Sequence, residues 1–218
     1  LFEDNDTCGT AAPLAIPGSN SGLVVTKTDP DYYSFDIPAG STVTASALFS
    51  HAQADVDMYL LTDDCSTAYD SGFSLSDNET VSYTNCGATP LPVKLAVVVF
   101  SGSVGDCGDY DLAVTTEAVC SDDPLAGNDS CASAFNLSTG LSINLVVNRC
   151  APSDYYRLNL IPGETIDLEM TLNPAEADLD LLLFRDDATC GDPAGLIAGS
   201  LNVGATESIL YTNKSGQQ

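Results

Sequence analysis

The stretch Asp31-Tyr32-Tyr33-Ser34-Phe35-Asp36-Ile37-Pro38-Ala39-Gly40 decides how this chain is read. Tyr33, Phe35 and Ile37 alternate with Tyr32, Ser34 and Asp36, the period-two pattern of a strand with one face buried. Pro38-Ala39-Gly40 then turns the chain, and Val43, Ala45 and Ala47 begin a second alternation. The stretch occurs twice. Asp154-Tyr155-Tyr156-Arg157-Leu158-Asn159-Leu160-Ile161-Pro162-Gly163 repeats it at an offset of 154 − 31 = 123 residues. The same offset relates Asn5-Asp6-Thr7-Cys8 to Asn128-Asp129-Ser130-Cys131. It also relates Ala54-Asp55-Val56-Asp57-Met58-Tyr59-Leu60 to Ala177-Asp178-Leu179-Asp180-Leu181-Leu182-Leu183. Three blocks in one order and one register predict two tandem copies of a domain.

Around these blocks, strands are expected over Gly22 to Lys27, Asp55 to Thr62, Glu79 to Asn85, Pro92 to Phe100 and Gly108 to Thr116. Pro92 to Phe100 is apolar on both faces, which suits the centre of a sheet. Pro13 and Pro17 keep the opening residues out of a central strand, and Asp63 to Asn78 reads as a long polar loop. Many short strands with turns between them, and no helical periodicity, define an all-β fold. It consists of two tandem antiparallel β-sandwich domains of jelly-roll or immunoglobulin-like type. The boundary falls at Ser121-Asp122-Asp123-Pro124-Leu125-Ala126-Gly127, giving a domain over 1–119 that opens on an acidic linker and a second over 120–218. The second is expected to form strands over Leu141 to Asn148, Asp154 to Ile161, Thr165 to Leu172, Ala177 to Phe184 and Thr206 to Asn213. It lacks its last two strands, the counterparts of Pro92–Phe100 and Gly108–Thr116. Either the chain continues, or a neighbouring subunit donates strands in trans.

The 218 residues carry 31 acidic and 6 basic side chains, a net charge of −25. With no basic stripe to neutralise phosphates, nucleic acid is excluded as a partner. No apolar run reaches the length of a membrane span, so no membrane insertion is expected. Eight cysteines beside one histidine, with no Cys-x-x-Cys pair, point to disulfides rather than zinc. An extracellular or cell-surface setting follows. Alternating strands are expected to bring the Cys65 and Cys107 loops to one end of the first sandwich, where the two cysteines would pair. A Cys131–Cys150 bond would tie the second linker to its first hairpin.

These motifs resemble the bacterial pre-peptidase C-terminal domain family, whose relatives include the collagen-binding domains of clostridial collagenases. The resemblance rests on the Asn-Asp linker, Asp31-Tyr32-Tyr33-Ser34-Phe35, the Pro38-Ala39-Gly40 corner, Asp55-Val56-Asp57, and the closing run Gly108-Asp109-Tyr110-Asp111-Leu112-Ala113-Val114. It spans nearly all of the first copy and much of the second. It implies calcium, held by Glu3, Asn5, Asp6 and Asp31 with Asp29 as a fifth ligand, all hard oxygen donors. The second copy keeps Asn128, Asp129 and Asp154 but has Ala126 where Glu3 would align, so calcium is expected to stabilise the first domain more. The alternative is an Asn-Asp turn cap among solvated acids.

No catalytic site is expected. The single histidine, His51, sits beside Ser50 at the end of a strand and is read as an exposed loop residue. Asp55/Asp57 and Asp178/Asp180 share a strand face, as glycosidase acids can, but their recurrence within one motif favours a role in the fold. Asn5, Asn78, Asn128, Asn136 and Asn213 each begin an N-glycosylation sequon. Two functions compete. One is a non-catalytic extracellular structural or adhesive protein that assembles with itself head to tail, as a filament built by strand complementation. The other, implied by the resemblance, is an accessory substrate-binding or secretion tail of a secreted peptidase or other hydrolase, gripping an extracellular polymer. The lack of tryptophan, and tyrosine pairs claimed by the core, favour the first.

Overall fold

A computed structural model describes residues 2, 4–101, 103, 105–138, 140, 142, 144–187 and 189–215. The chain forms two compact units, Leu1–Cys120 and Ser121–Gln218. Their regular structure is β, apart from 3-10 turns at Cys8–Thr10 and Pro193–Gly195.

In the first unit the strands are β1 (Ala12–Pro13), β2 (Gly18–Thr26), β3 (Asp31–Ile37), β4 (Ser41–Phe49), β5 (Val56–Thr62), β6 (Ala68–Gly72), β7 (Glu79–Asn85), β8 (Leu91–Val99) and β9 (Cys107–Ala118). They make two facing sheets, ordered β1-β3-β8-β5-β6 and β2-β9-β4-β7. Every pairing is antiparallel except the short β1–β3 contact. The alternation read from the sequence fills the space between the sheets. Tyr33, Phe35 and Ile37 of β3 meet Val43, Ala45 and Ala47 of β4, Val56, Met58 and Leu60 of β5, and Leu112 of β9 in one buried cluster. Val93, Leu95 and Val97 place β8 at the centre, and each such buried side chain contributes about 1.5–3 kcal/mol. Pro13 lies on the sheet edge, where its missing N–H costs no ladder bond. The Asp63 to Asn78 segment is not wholly loop: β6 pairs with β5 there, its mostly polar sequence suiting an edge.

The corner after β3 is locked from β7. Gly40 takes the left-handed φ of +61°, and its N–H donates to the Asn85 carbonyl at 2.9 Å. Asn85 Nδ2 donates to the Ile37 carbonyl at 2.9 Å.

The second unit contains β10 (Phe135–Asn136), β11 (Tyr156–Arg157), β12 (Thr165–Thr171), β13 (Leu181–Phe184), β14 (Leu196–Ser200) and β15 (Thr206–Thr212). They form three separate pairs, β10-β11, β12-β15 and β13-β14. Each pair has a counterpart in register. Ala12↔Tyr33 becomes Phe135↔Tyr156, where 12 + 123 = 135 and 33 + 123 = 156. Thr42↔Thr84 becomes Thr165↔Thr212, where 42 + 123 = 165 and 84 + 128 = 212, with the two hydroxyls bonded in both units. Met58↔Gly72 becomes Leu181↔Ser200, where 58 + 123 = 181 and 72 + 128 = 200. The corner lock recurs too: Gly163 N–H donates to the Asn213 carbonyl, and Asn213 Nδ2 donates to the Leu160 carbonyl, both at 2.7 Å.

Strand lengths follow from which partners are present. In the first unit β8 bonds to β3 on one side and β5 on the other, while β9 bonds to β2 and β4. The second unit has no counterpart of either among its described residues. The expected strand Asp154 to Ile161 therefore contracts to Tyr156–Arg157, the pair matching the β1-bonded Tyr33 and Ser34. Ala177 to Phe184 contracts to Leu181–Phe184, matching the β6-bonded span of β5. The strand expected over Leu141 to Asn148 is absent among the described residues, Leu141 and Ile143 lying outside them. Its counterpart β2 pairs only with β9.

The disulfides correct both expected pairings. Cys65 bonds to Cys8, not to Cys107, and Cys131 bonds to Cys190, not to Cys150. The β5–β8 register gives the reason. Thr62 at the end of β5 faces Val93 at the start of β8, whereas Cys107 follows the other end of β8. The Cys65 and Cys107 loops thus lie at opposite ends. Cys86 and Cys150 are also oxidised, and Cys107 and Cys120 are free and exposed.

Candidate functional site

The duplicated linker and the opening stretch meet at one place in each unit. In the first, Asn5 is 2% exposed. Its carbonyl accepts from Tyr32 N–H at 2.8 Å, and its Nδ2 donates to the Tyr32 carbonyl at 3.0 Å, clamping the linker onto β3. Beside it, Tyr110 on β9 donates its hydroxyl to Asp31 Oδ2, and the Tyr33 and Tyr110 hydroxyls bond at 2.6 Å. The Phe2 ring packs edge-on against Tyr33, centroids 5.6 Å apart. Burial pushes the Tyr33 hydroxyl up to about 12, and burial, then Tyr33 and Asp31, push Tyr110 higher still. Both remain protonated donors across physiological pH, so they serve as fixed hydrogen-bond groups rather than as nucleophiles or bases.

In the second unit Asn128 makes the same clamp, its carbonyl accepting from Tyr155 N–H at 2.7 Å. Here no described residue takes the place of Tyr110, and the contacts differ. Tyr156, which matches Tyr33, donates directly to Asp154 Oδ2 at 3.0 Å. Asp154 Oδ1 is left buried with no hydrogen-bond partner. Burial raises the Asp154 carboxyl, as do the charges of Asp123, Asp122 and Asp129, against the lowering effect of the Tyr156 hydrogen bond. Asp123 is itself buried, accepting from Leu125 N–H at 2.6 Å and Val146 N–H at 2.9 Å.

Of the calcium ligands that the resemblance implies, Asn5 and Asp31 converge on the tyrosine pair, while Asp6 is exposed and Asp29 lies in the β2–β3 turn. Glu3 lies outside the described residues. Among the described residues no three His, Cys, Asp or Glu side chains form a group able to hold a metal ion. The sequons divide. Asn78 and Asn136 are exposed, whereas Asn5 and Asn128 are buried and the Nδ2 of Asn213 is committed to Leu160. A glycan needs that amide nitrogen free and facing solvent, which excludes Asn5 and Asn128 in this fold.

The Asp55/Asp57 pair raised by the sequence belongs to a third cluster, whose other members, Glu79 and His51, the sequence reading did not join to it. Asp55, Asp57 and Glu79 are 7%, 6% and 5% exposed. The segment after β8 covers Asp55, whose N–H donates to Ser103 Oγ at 2.9 Å and whose carbonyl accepts from Phe100 N–H. Burial first, then the charges of Asp55 and Glu79, push the Asp57 carboxyl up to about 6. His51 is not the exposed loop residue expected from sequence: its side chain is two-thirds covered, with Nδ1 at 3.3 Å from Asp55 Oδ1. Glu79 also closes the β6–β7 loop by accepting from Ser74 N–H at 2.6 Å. Fully buried Glu207 does the same for Asn202 N–H at 2.9 Å, five residues upstream in each case. Asn78-Glu79 and Thr206-Glu207 at an offset of 128 carried that signal. Asp178 and Asp180, matching Asp55 and Asp57, are exposed in the second unit, where no described residue supplies such a cover.

No family model matches the chain, and no curated protein matches it. Among solved structures it is similar to the pre-peptidase C-terminal domain of a collagenase from Bacillus anthracis, at 17% identity over 48% of this chain and 94% of that one, with a TM-score of 0.39. It is similar also to PliG of Aeromonas hydrophila, a periplasmic inhibitor of g-type lysozyme, at 15% identity over 49% of this chain and 96% of that one, with a TM-score of 0.39.

Proposed function

We propose that this chain is a non-catalytic extracellular protein of structural or adhesive type whose subunits join by completing one another's sheets. The observation carrying this reading is the apolar face of the second unit, whose described strands stand in three separate pairs. Leu158, Leu160, Ile166, Leu168, Leu181 and Leu183 match residues buried in the first unit, yet all are only partly buried. Unpaired strand edges beside an apolar face accept further strands. If each subunit supplies what the next one lacks, the contact does not close, and a filament results. Six oxidised cysteines fit an oxidising compartment. Calcium enters this reading only as the resemblance implies it, through Glu3, Asn5, Asp6, Asp29 and Asp31, and melts with and without chelator test it, with the larger shift expected in the first unit. The assembly reading is tested by sedimentation and electron microscopy of the intact chain at micromolar concentration. Concentration-dependent, end-to-end oligomers are expected. A stable, fully folded monomer overturns it.

A further inference from the structure

The geometry points to a thiol–disulfide exchange site at the corner after β3, in which the free thiol of Cys120 attacks the oxidised sulfur of Cys86. The backbone brings the two residues there. Ser41 at the start of β4 stands opposite Asn85 of β7 on one side and Ala118 of β9 on the other. One residue earlier, Gly40 N–H donates to the Asn85 carbonyl at 2.9 Å, and the Gly40 carbonyl accepts from Val119 N–H at 2.8 Å. Cys86 and Cys120 are the next residues along, so they flank Gly40 from its two sides, both exposed. Cys107, the other free thiol, stands opposite Thr26 at the far end of β9, about 40 Å from this corner. The second unit has Lys214 in the place of Cys86, where 86 + 128 = 214, so its corner holds no sulfur to attack.

Two strand spacings, about 9.6 Å, separate the backbones on either side of Gly40. A disulfide needs Cα atoms within about 7 Å, so one chain must lean in by about 3 Å. Cys86 is the fixed side. Asn85 Nδ2 donates to the Ile37 and Thr89 carbonyls, both at 2.9 Å, and Asn85 Oδ1 accepts from Gly87 N–H at 2.9 Å. Cys120 is the moving side, one residue past the Val119 bond and outside any regular element. Gly40 puts no side chain between them, and a Cβ there would meet nothing within 4 Å. In the exchange, the Cys120 thiolate forms a bond to Cys86 Sγ as the existing S–S bond of Cys86 breaks. The electron pair leaves on the sulfur that Cys86 had held, which takes up the proton that Cys120 gave up. No oxidant is consumed. The product ties Cys120, where the first unit ends, to the end of β7.

The test holds the full chain in acid, where thiols are protonated and exchange is arrested, then shifts it to about pH 8.5 without oxygen or added thiol. Aliquots returned to acid are alkylated with a maleimide and mapped by mass spectrometry. Before the shift, alkylation reaches Cys107 and Cys120. After it, a peptide joining Cys86 to Cys120 is expected, with the count of free thiols still two. Loss of the Cys120 thiol should be at least about ten-fold faster than loss of Cys107 and independent of protein concentration, because a nearby sulfur acts at a raised effective concentration. Cys107→Ser should leave this behaviour unchanged, and Cys120→Ser should keep Cys86 in its original bond after the shift. A Cys120 thiol that stays free at equilibrium overturns the exchange site. So does a Cys120 bonded to a second copy of the chain, or a Cys107 consumed as fast as Cys120.

Discussion

Replacing Asp57 with asparagine tests the buried acidic cluster most directly, because it keeps the shape and removes the charge. Burial, Asp55 and Glu79 together lift this carboxyl from 3.8 to about 6. The folded chain thus holds the proton more tightly than the unfolded chain does. Ionisation of Asp57 therefore costs stability, and the cost grows as pH rises from 3.8 to about 6, then levels off. At about 1.4 kcal/mol per pH unit across that interval, the charged form costs about 3 kcal/mol at pH 8. The cost is roughly half that at pH 5 and under about 1 kcal/mol at pH 4. Comparison with Asp57→Asn cancels the general self-repulsion of a chain with net charge −25, which acts on both proteins alike. Urea unfolding of the two at pH 4, 5, 6 and 8 should show the variant more stable at pH 8 by about this amount, with the curves converging toward pH 4. A variant less stable than wild type at pH 8 would refute the reasoning. It would mean that the Asp57 charge is held by something favourable, such as a bound cation.

The Cys8–Cys65 bond spans 57 residues of sequence. Its removal by Cys8→Ser should lower the stability of the first unit by about 4 kcal/mol in guanidinium melts, from the loop-closure term alone. Native thiol labelling followed by mass spectrometry should modify Cys107 and Cys120 and no other cysteine; protection of Cys107 would contradict its free, exposed placement. Tyr110→Phe should destabilise the first unit by about 1–3 kcal/mol, since it strips the hydroxyl from Asp31 and Tyr33 together, and it should leave the second unit's exchange rates unaltered.

The parts of the fold that sequence reveals are those with a local signature. Tyr33, Phe35 and Ile37 face the core because a strand puts alternate side chains on one side, and five more strands of the first unit follow the same rule. What was illegible depends on contacts remote in sequence. Ala68 to Gly72 looks like loop because an edge strand needs little apolar surface. Asp55 and Asp57 fall on the outer face as alternation requires, but the segment bonded to Asp55 arrives only after β8, and the charge that acts on Asp57 from Glu79 comes from β7. The disulfides required the β5–β8 register, which no count of strands supplies. The duplication nevertheless held that answer: Cys8 and Cys131 are 123 apart, and Cys65 and Cys190 are 125 apart. The tyrosine–carboxylate corner was half legible. Asp31 and Tyr33 belong to the opening stretch, but their bonding depends on Tyr110, 77 residues beyond Tyr33.

Of the strands of the first unit with no described counterpart in the second, β8 and β9 are central ones, and that decides how the second unit's strands are paired. Were an edge strand such as the β6 counterpart the one without a described match, each sheet would stay whole and only narrow. Without a described β8 counterpart, β11 and β13 share no partner, and without a described β9 counterpart β12 is bonded on one side only. Consecutive strands β8 and β9 lie in opposite sheets of the first unit, and its core closes between them. Two strands so placed bring inward side chains of the kind Val93, Leu95 and Val97 supply on one side and Tyr110, Leu112 and Val114 on the other. Association in trans must first overcome about 4–15 kcal/mol of lost translational and rotational freedom. At about 1.5–3 kcal/mol for each large apolar side chain buried, three such residues on one strand give about 4.5–9 kcal/mol and six on two strands about 9–18, so strand complementation between subunits needs both strands to cover that range.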